Sequence, residues 1–571
     1  MATSRVCVSV VGSVLIFVVL LSAAPAGAAT LTVCPTGCDD VTIQGAADDA
    51  NAGDTIQILS VLPHTEANIF LTRDLTIEGL GELHTIIQAS AAAGAAMGPV
   101  FVVTNGANIA MTALTVRRGK SSEGGGISIL DGSVTLEDVT VRENTADSSG
   151  GGIYVAARGS LEANRATIES NHSGSTGGGV AAEGPVEMTG TDVTSNSVDA
   201  TGVGEGGGIW SAGTLILRSC RLDSNRADGA TSSDKGYGGG LSYQGPDLLI
   251  EDSSISSNAA DTPLYGSGDA KGGGLFLTGT GAATVRRTAI RSNTAWLGAG
   301  LYSENETLVL EDCTISNNNA AVSSGGGMEL ASGSVTSVVR ILHSTISENQ
   351  AFFAGGGLYI VSPGRVLISN STISGNLAGG QGGGIADWHT GVEIASSTIA
   401  DNTADADTNG SGDGGGIWIL SGESIKLQNT IVGSNHDLSP PPSLSATDCY
   451  GTVQSAGYNL IQSVGQFPKS CIIVGITTGN VVGVDALLDV LADNGGPTET
   501  QALDAGSVAI DAANPGGCLD PDGALLDADQ RHGLRQDRCD MGAFEVGALV
   551  EPIFADGFES GSTSEWSISV P

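Results

Sequence analysis

Apolar residues alternate with polar ones in short runs along most of the chain. In GGGISILDGSVTLEDVTVRENTA, Gly124 to Ala146, Ile127 and Ile129 alternate, then Val134 and Leu136, then Val139 and Val141. A period of two predicts three short strands in this unit, and Val, Ile and Thr at these positions agree. Helical repeats of similar length would need long faces of period 3.6, which the pattern lacks.

The unit returns. Glycine clusters open at Gly124, Gly150, Gly177, Gly206, Gly238, Gly272, Gly298, Gly325, Gly355, Gly382 and Gly414, each followed by an aliphatic residue or Met. All are Gly-Gly-Gly except Gly298-Ala299-Gly300. In step with them, an apolar residue precedes an Asn by three places, at Asn144, Asn171, Asn196, Asn225, Asn258, Asn293, Asn318, Asn349, Asn376 and Asn402. Self-similarity at this period means a stacked array. Short parallel strands joined by turns and stacked on the next copy make a parallel β-helix. Coils about 4.8 Å apart leave no room for Cβ atoms at sharp corners, which explains the glycines. Stacked Asn side chains both donate and accept, which explains the second marker. The glycines open strands rather than helices, so a nucleotide-binding loop is excluded. About fourteen coils at this spacing predict a rod about 65–70 Å long.

The repeated GGG[ILV] and IxxN strings resemble the GGA[ILV] and FxxN repeats of polymorphic outer membrane proteins. More broadly they resemble the right-handed parallel β-helix superfamily that includes pectate lyases. The resemblance implies an all-β, right-handed solenoid over about Gly124 to Asn435.

The ends read differently. Residues 1–28 have one Arg, an apolar run and Ala26-Gly27-Ala28, the pattern of a secretory signal peptide; an uncleaved membrane anchor is the alternative. Residues 29–120 read as an N-terminal cap and first coils. Ala46, Ala47 and Ala50 support a short capping helix stopped by Gly53, and Ile56 and Ile58 start the first coil. "STIQAAVNAANAGDTI"-like openings are common in secreted β-helix proteins, and this segment is similar. The repeats proper span 121–436. Pro440, Pro441 and Pro442 then break the pattern. Residues 437–546 resemble the C-terminal choice-of-anchor Q region of bacterial proteins through Asn494-Gly495-Gly496-Pro497, Ala509-Ile510-Asp511, Asp529-Gln530-Arg531 and Gly542-Ala543-Phe544-Glu545. The resemblance implies capping or anchoring rather than chemistry. Residues 547–571 read as an acidic tail or a short terminal tag.

Of the nine cysteines, Cys7 leaves with the signal. Cys34 with Cys38, Cys449 with Cys471, and Cys518 with Cys539 read as local disulfides of an exported protein; a zinc site is the alternative. Cys220 and Cys313, each five residues before a repeat Asn, read as buried thiols.

The chain carries 62 acidic and 23 basic residues, a net charge of -39. Such a surface repels nucleic acid, anionic lipid and acidic polysaccharide in the absence of bridging cations. Aromatics form 4% of the chain, which argues against a binding surface of stacked rings. Three consecutive insertions before Gly206, Gly238 and Gly272 predict a ligand-binding shelf carrying Asp228, Asp234, Lys235, Tyr237, Asp261, Tyr265, Asp269 and Lys271; tolerated loop growth is the alternative. Asp405, Asp407, Asn409 and Asp413 resemble the start of a D-x-D-x-N-G calcium loop, although Gly416 stands where an EF-hand has its last Glu. Asp520, Asp522, Asp527 and Asp529 form a weaker candidate, and His389 beside Trp388 is a candidate sugar contact. The R-x-x-P and GHG strings of catalytic β-helices are absent. The sequence therefore points to an exported or cell-surface protein, outer-membrane associated and without catalysis, that acts in adhesion or carbohydrate and matrix contact. The alternative is a polysaccharide lyase or glycoside hydrolase working on the loop-bearing flank.

Overall fold

A computed structural model describes residues 28–549, apart from 93, 232–233, 262–269, 363, 390, 441–446, 467–468 and 537. The signal segment, Cys7, Tyr265, Asp269, Pro441, Pro442 and nearly all of the acidic tail lie outside the described residues. Among those residues no helix is long and apolar enough to cross a membrane.

The chain winds as a right-handed parallel β-helix. Each repeat holds four strands rather than three. In the coil quoted above they are Ile127–Ile129, then the two halves of Gly132–Arg142, then Thr145–Ser149. The long run is bent at Asp138, whose φ is 51°, so its halves face different directions. The fourth strand, after the Asn, was hidden because it is short and half polar. The coil ladder runs unbroken from Thr30–Val33 to Lys469–Ile476. It passes the boundary expected at 436, since Cys449–Ala456 regains register with Ile417–Ile419 and Ser424–Gln428 after the prolines. At 4.8 Å per coil the stack is about 75–80 Å long, longer than the repeats alone predict.

Inside the rod, like stacks on like. Ile127, Ile153, Val180, Ile209, Leu241 and Leu275 are in register and fully buried. The glycines meet two constraints. The first of each triplet has positive φ, 66° at Gly206, for example. The third passes its copy so closely that a Cβ on Gly208 would sit 2.6 Å from the Gly240 carbonyl and 3.0 Å from Asn225. The second is as tight, since a Cβ on Gly273 would sit 2.3 Å from the Thr294 carbonyl, although one coil accommodates Ala299 there.

The Asn residues form one continuous ladder from Asn144 to Asn435. Each side-chain amide donates to the next Asn Oδ1, at 2.9–3.0 Å. Each backbone amide donates to the same oxygen, as from Asn293 to Asn318 at 3.0 Å. The ladder ends on Asp448, whose Oδ1 accepts both bonds from Asn435. A second ladder of small polar side chains runs along the bend of the long strands. Ser253, Thr288, Ser344 and Ser371 donate to the carbonyl two residues before. Cys220 and Cys313 occupy the same slot, their thiols 3.3 Å from the Arg218 and Glu311 carbonyls. Burial pushes the two thiols up to about 11 and about 12, so both are inert.

The N-terminal helix is Ile43–Asp49, with Thr42 as N-cap and Ile43, Ala46 and Ala47 buried. The carboxylate of Glu66 accepts from the amides of Ile43 and Gln44 at 2.7 and 2.9 Å. Disulfides join Cys34 to Cys38, Cys449 to Cys471 and Cys518 to Cys539. The C-terminal region packs over the last coils and then runs back along the bend of the long strands. Gln530 and Arg535 dock it on the rod, while Arg531 braces the region internally. Gln530, fully buried, accepts from Thr372 at 2.7 Å and donates to Thr345 and Thr498 at 2.9 and 2.8 Å. Arg535 pairs with Glu545 and reaches Asn370 at 2.9 Å. Arg531 pairs with Asp529 at 2.6 Å and lies 3.6 Å over the Phe544 ring.

Two substitutions test this account of the stack. Asn318→Ala strands the amide donors of Asn293 in the interior, and a lone buried donor costs about 1–3 kcal/mol. Gly208→Ala forces backbone apart. Both variants should lose about 2–4 kcal/mol in urea denaturation, whereas Gly333→Ala, where a Cβ meets nothing within 4 Å, should lose less.

Candidate functional site

Alternation sends the middle residue of each first strand outward. Along one face these residues stand in register as Phe276, Tyr302, Glu329, Tyr359, Ala386, Trp418 and Tyr450. Earlier coils put Tyr154 and Trp210 in the same column. Seven of the 23 aromatics are thus gathered in one column. A low total says nothing about clustering when a repeat assigns each coil the same slot.

Two ring clusters result. In the first, Tyr237 stacks on Phe276 at 4.7 Å and Phe276 on Tyr302 at 5.6 Å. Lys271 donates to the Tyr302 hydroxyl at 2.8 Å, lies 4.3 Å from the centre of its ring, and pairs with Glu304 at 3.4 Å. In the second, Trp388 packs against Tyr359 and Trp418 at 6.2 and 5.2 Å, and Trp418 stacks parallel to Tyr450 at 6.3 Å. Tyr359, Trp388 and Tyr450 are half-buried, and the Trp388 indole N–H has no hydrogen-bond partner. Glu329 stands in register between the clusters. Glu205 carries the pattern toward the N-terminus, accepting from Trp210 at 2.9 Å and from Ser242 at 3.2 Å. Burial raises the Glu205 carboxyl above its usual range.

The shelf residues divide. Tyr237 and Lys271 join the first ring cluster. Asp228 and Asp261 share Arg226, which Asp228 bonds directly and Asp261 approaches at 3.6 Å. Asp234 folds back onto the amide and hydroxyl of Thr231, both at 2.8 Å. Lys235 lies half-buried in the strand Lys235–Tyr237, paired with Val203–Glu205. The structure therefore gathers part of the shelf onto the aromatic face and uses the rest within the loops.

The acidic loop is closed by its own donors. Asp405 is buried and accepts from the Gly410 amide at 2.9 and 3.1 Å. Asp407 accepts from Asn409 at 2.7 and 3.2 Å, Asn409 Oδ1 accepts from Ser411, and Asp413 pairs with Lys469 at 2.7 Å. Asp405, Asp407 and Asp413 do not bring their oxygens within 4.8 Å of one another; among the described residues only Asp312, His343 and His532 do so. The loop instead lines a groove of about 230 Å³ with the exposed rings of Phe352 and Phe353, Gly379, Gly380 and Gln381. The two rings meet edge to face at 4.8 Å. Of the weaker acidic set, Asp522 bonds Arg340 and Arg365 on the rod, at 2.7 and 2.9 Å, and Asp529 holds Arg531. His389 is exposed, and its amide donates to Asp387 at 3.1 Å.

Asp387 is fully buried in the inward column, in register between Ile360 and Ile419, and its Oδ2 has no hydrogen-bond partner. Burial pushes its carboxyl up to about 7. Burial also raises Asp228, Asp448 and Asp540 to about 6.

Residues 273–461 match the family described as "Right handed beta helix region". The comparison with curated proteins gave no match. Among solved structures, the chain is similar to the crystal structure of the pectate lyase Pel9A, at 12% identity over 90% of this chain and 96% of that one, with a TM-score of 0.26. It is also similar to the complex of XylC with xylose, at 10% identity over 91% and 99% of the two chains, with a TM-score of 0.30.

The buried carboxyls set a pH dependence. Their folded pKa values lie above the unfolded value of about 3.9. Their contribution is therefore fully present below that value and lost as pH rises through about 6 to 7. Self-repulsion of the acidic surface acts in the same direction. The melting temperature should fall between pH 5 and pH 7.5, and Asp387→Asn should flatten the fall. A melting temperature that rises over this interval would contradict the assignment.

Proposed function

We propose that this is an exported β-helix protein of bacterial type that binds a neutral glycan along its aromatic face without cleaving it, and so acts in adhesion or matrix contact. The observation that carries the reading is the in-register row of rings around Glu329 from Phe276 to Tyr450, of which Tyr359 and Tyr450 are only half-buried. Rings cover the apolar faces of sugars, while carboxylates and amides beside them accept and donate to hydroxyls. The Phe352–Phe353 groove offers the same pairing, with Asp407 and Asn409 as its polar groups. A net charge of -39 disfavours acidic polysaccharides. Three disulfides support export.

Asp387 supports a second reading, glycan cleavage, because a carboxyl held near 7 is a ready general acid. Such chemistry also needs an exposed bond and a second carboxyl across it. Asp387 is sealed inside the rod between Ile360 and Ile419, so binding is the stronger reading.

Titration against a panel of neutral and acidic polysaccharides, followed by indole fluorescence, tests the choice. A neutral glycan should bind, and Tyr359→Ala and Tyr450→Ala should each weaken it about tenfold, the worth of one ring contact. Retention unchanged in both variants would remove the aromatic face from the account. Release of reducing or unsaturated ends would establish cleavage in its place.

A further inference from the structure

One group of metal-ligating side chains lies away from the aromatic face. Asp312 and His343 hold the same bend position on successive coils, with φ of 54° and 50°. Other coils put Ser219, Asp252, Arg287 or Asn370 there. Where the column carries Asp and then His, the C-terminal region lays His532 against both. One ligand atom from each of the three residues lies within 4.8 Å of the other two. His532 Nε2 is 2.7 Å from Asp312 Oδ1, and the two imidazoles stack at 4.5 Å. Nδ1 of His343 is buried and has no hydrogen-bond partner. The Gln530 backbone approaches this ring without closing a hydrogen bond to Nδ1, and buried polar atoms are seldom left so. Asp312 is mostly covered and His532 half exposed, at 11% and 48%, which leaves an approach from solvent. Glu311 and Asp529 add negative charge close by.

We propose that Asp312, His343 and His532 bind a divalent transition-metal ion of the zinc class, which clamps the C-terminal region to two coils of the rod. Two imidazole nitrogens and one carboxylate oxygen are a common zinc donor set, and water would complete a tetrahedron. Calcium and magnesium prefer oxygen throughout and would not select this site. Ligand atoms around zinc stand about 3.2–3.6 Å apart. The group therefore has to close by about 1 Å, which rotation of the exposed His532 side chain supplies. The ion would replace the hydrogen bond between His532 and Asp312 and would satisfy His343.

Full-length protein stripped with a chelator and titrated with zinc chloride tests this. One equivalent of Zn2+ should bind and raise the melting temperature by several degrees, with no such response to Ca2+ or Mg2+. His532→Gln changes a half-exposed side chain and should leave the fold intact while abolishing that binding; His343→Gln should do the same. His389→Gln, on a distant exposed turn, should retain it. Cobalt substitution gives a second readout, a visible ligand-field band present in the parent and lost in His532→Gln. Absence of zinc binding in the parent, or an unchanged stoichiometry and cobalt band in His532→Gln, would overturn the site.

Discussion

Every coil of this protein must pass its neighbours at about 4.8 Å, and that spacing governs the rest of the structure. It admits glycine where chain corners meet, as at Gly208 against the Gly240 carbonyl. It puts each Asn within one hydrogen bond of the next, so the amides satisfy one another from Asn144 to Asn435. The same spacing gives each buried slot one dominant chemistry. Aliphatic residues stack on aliphatic residues inside, and small hydrogen-bonding residues stack at the bend, where a thiol can replace a hydroxyl.

Outward slots are freed from that demand, and there the coils differ. One column carries rings with Glu329 among them. The column at the bend carries mixed polar residues, and the C-terminal region docks along it through Gln530, Arg535 and Asp522. The rod thus presents two surfaces set by one register: a ring column on which the proposed glycan binding rests, and an edge that holds the chain's own end.

The glycine and Asn markers made the coils legible, because both are backbone demands that recur at fixed places. The fourth strand was not legible, since two residues such as Thr145 and Ala146 carry no period. The ring column was present in the sequence all the same. Tyr154, Trp210, Phe276, Tyr302, Tyr359 and Trp418 each stand two places after a glycine cluster, a signal that total composition conceals. The disulfides followed from spacing. In the acidic loop, spacing shows the oxygens but not the donors that reach them, which here are the Gly410 amide on Asp405 and the Lys469 ammonium on Asp413. The group of Asp312, His343 and His532 joins residues 220 positions apart, which no linear pattern reveals.

Hydrogen exchange followed by mass spectrometry tests the central claim, that one inter-coil register holds the whole rod. The amides of the glycine clusters and ladder Asn residues from Gly125 to Gly416 should be the slowest to exchange and should open together, while the flank loops exchange fast. Clusters exchanging as fast as the flank loops, or protection confined to a few coils, would contradict it.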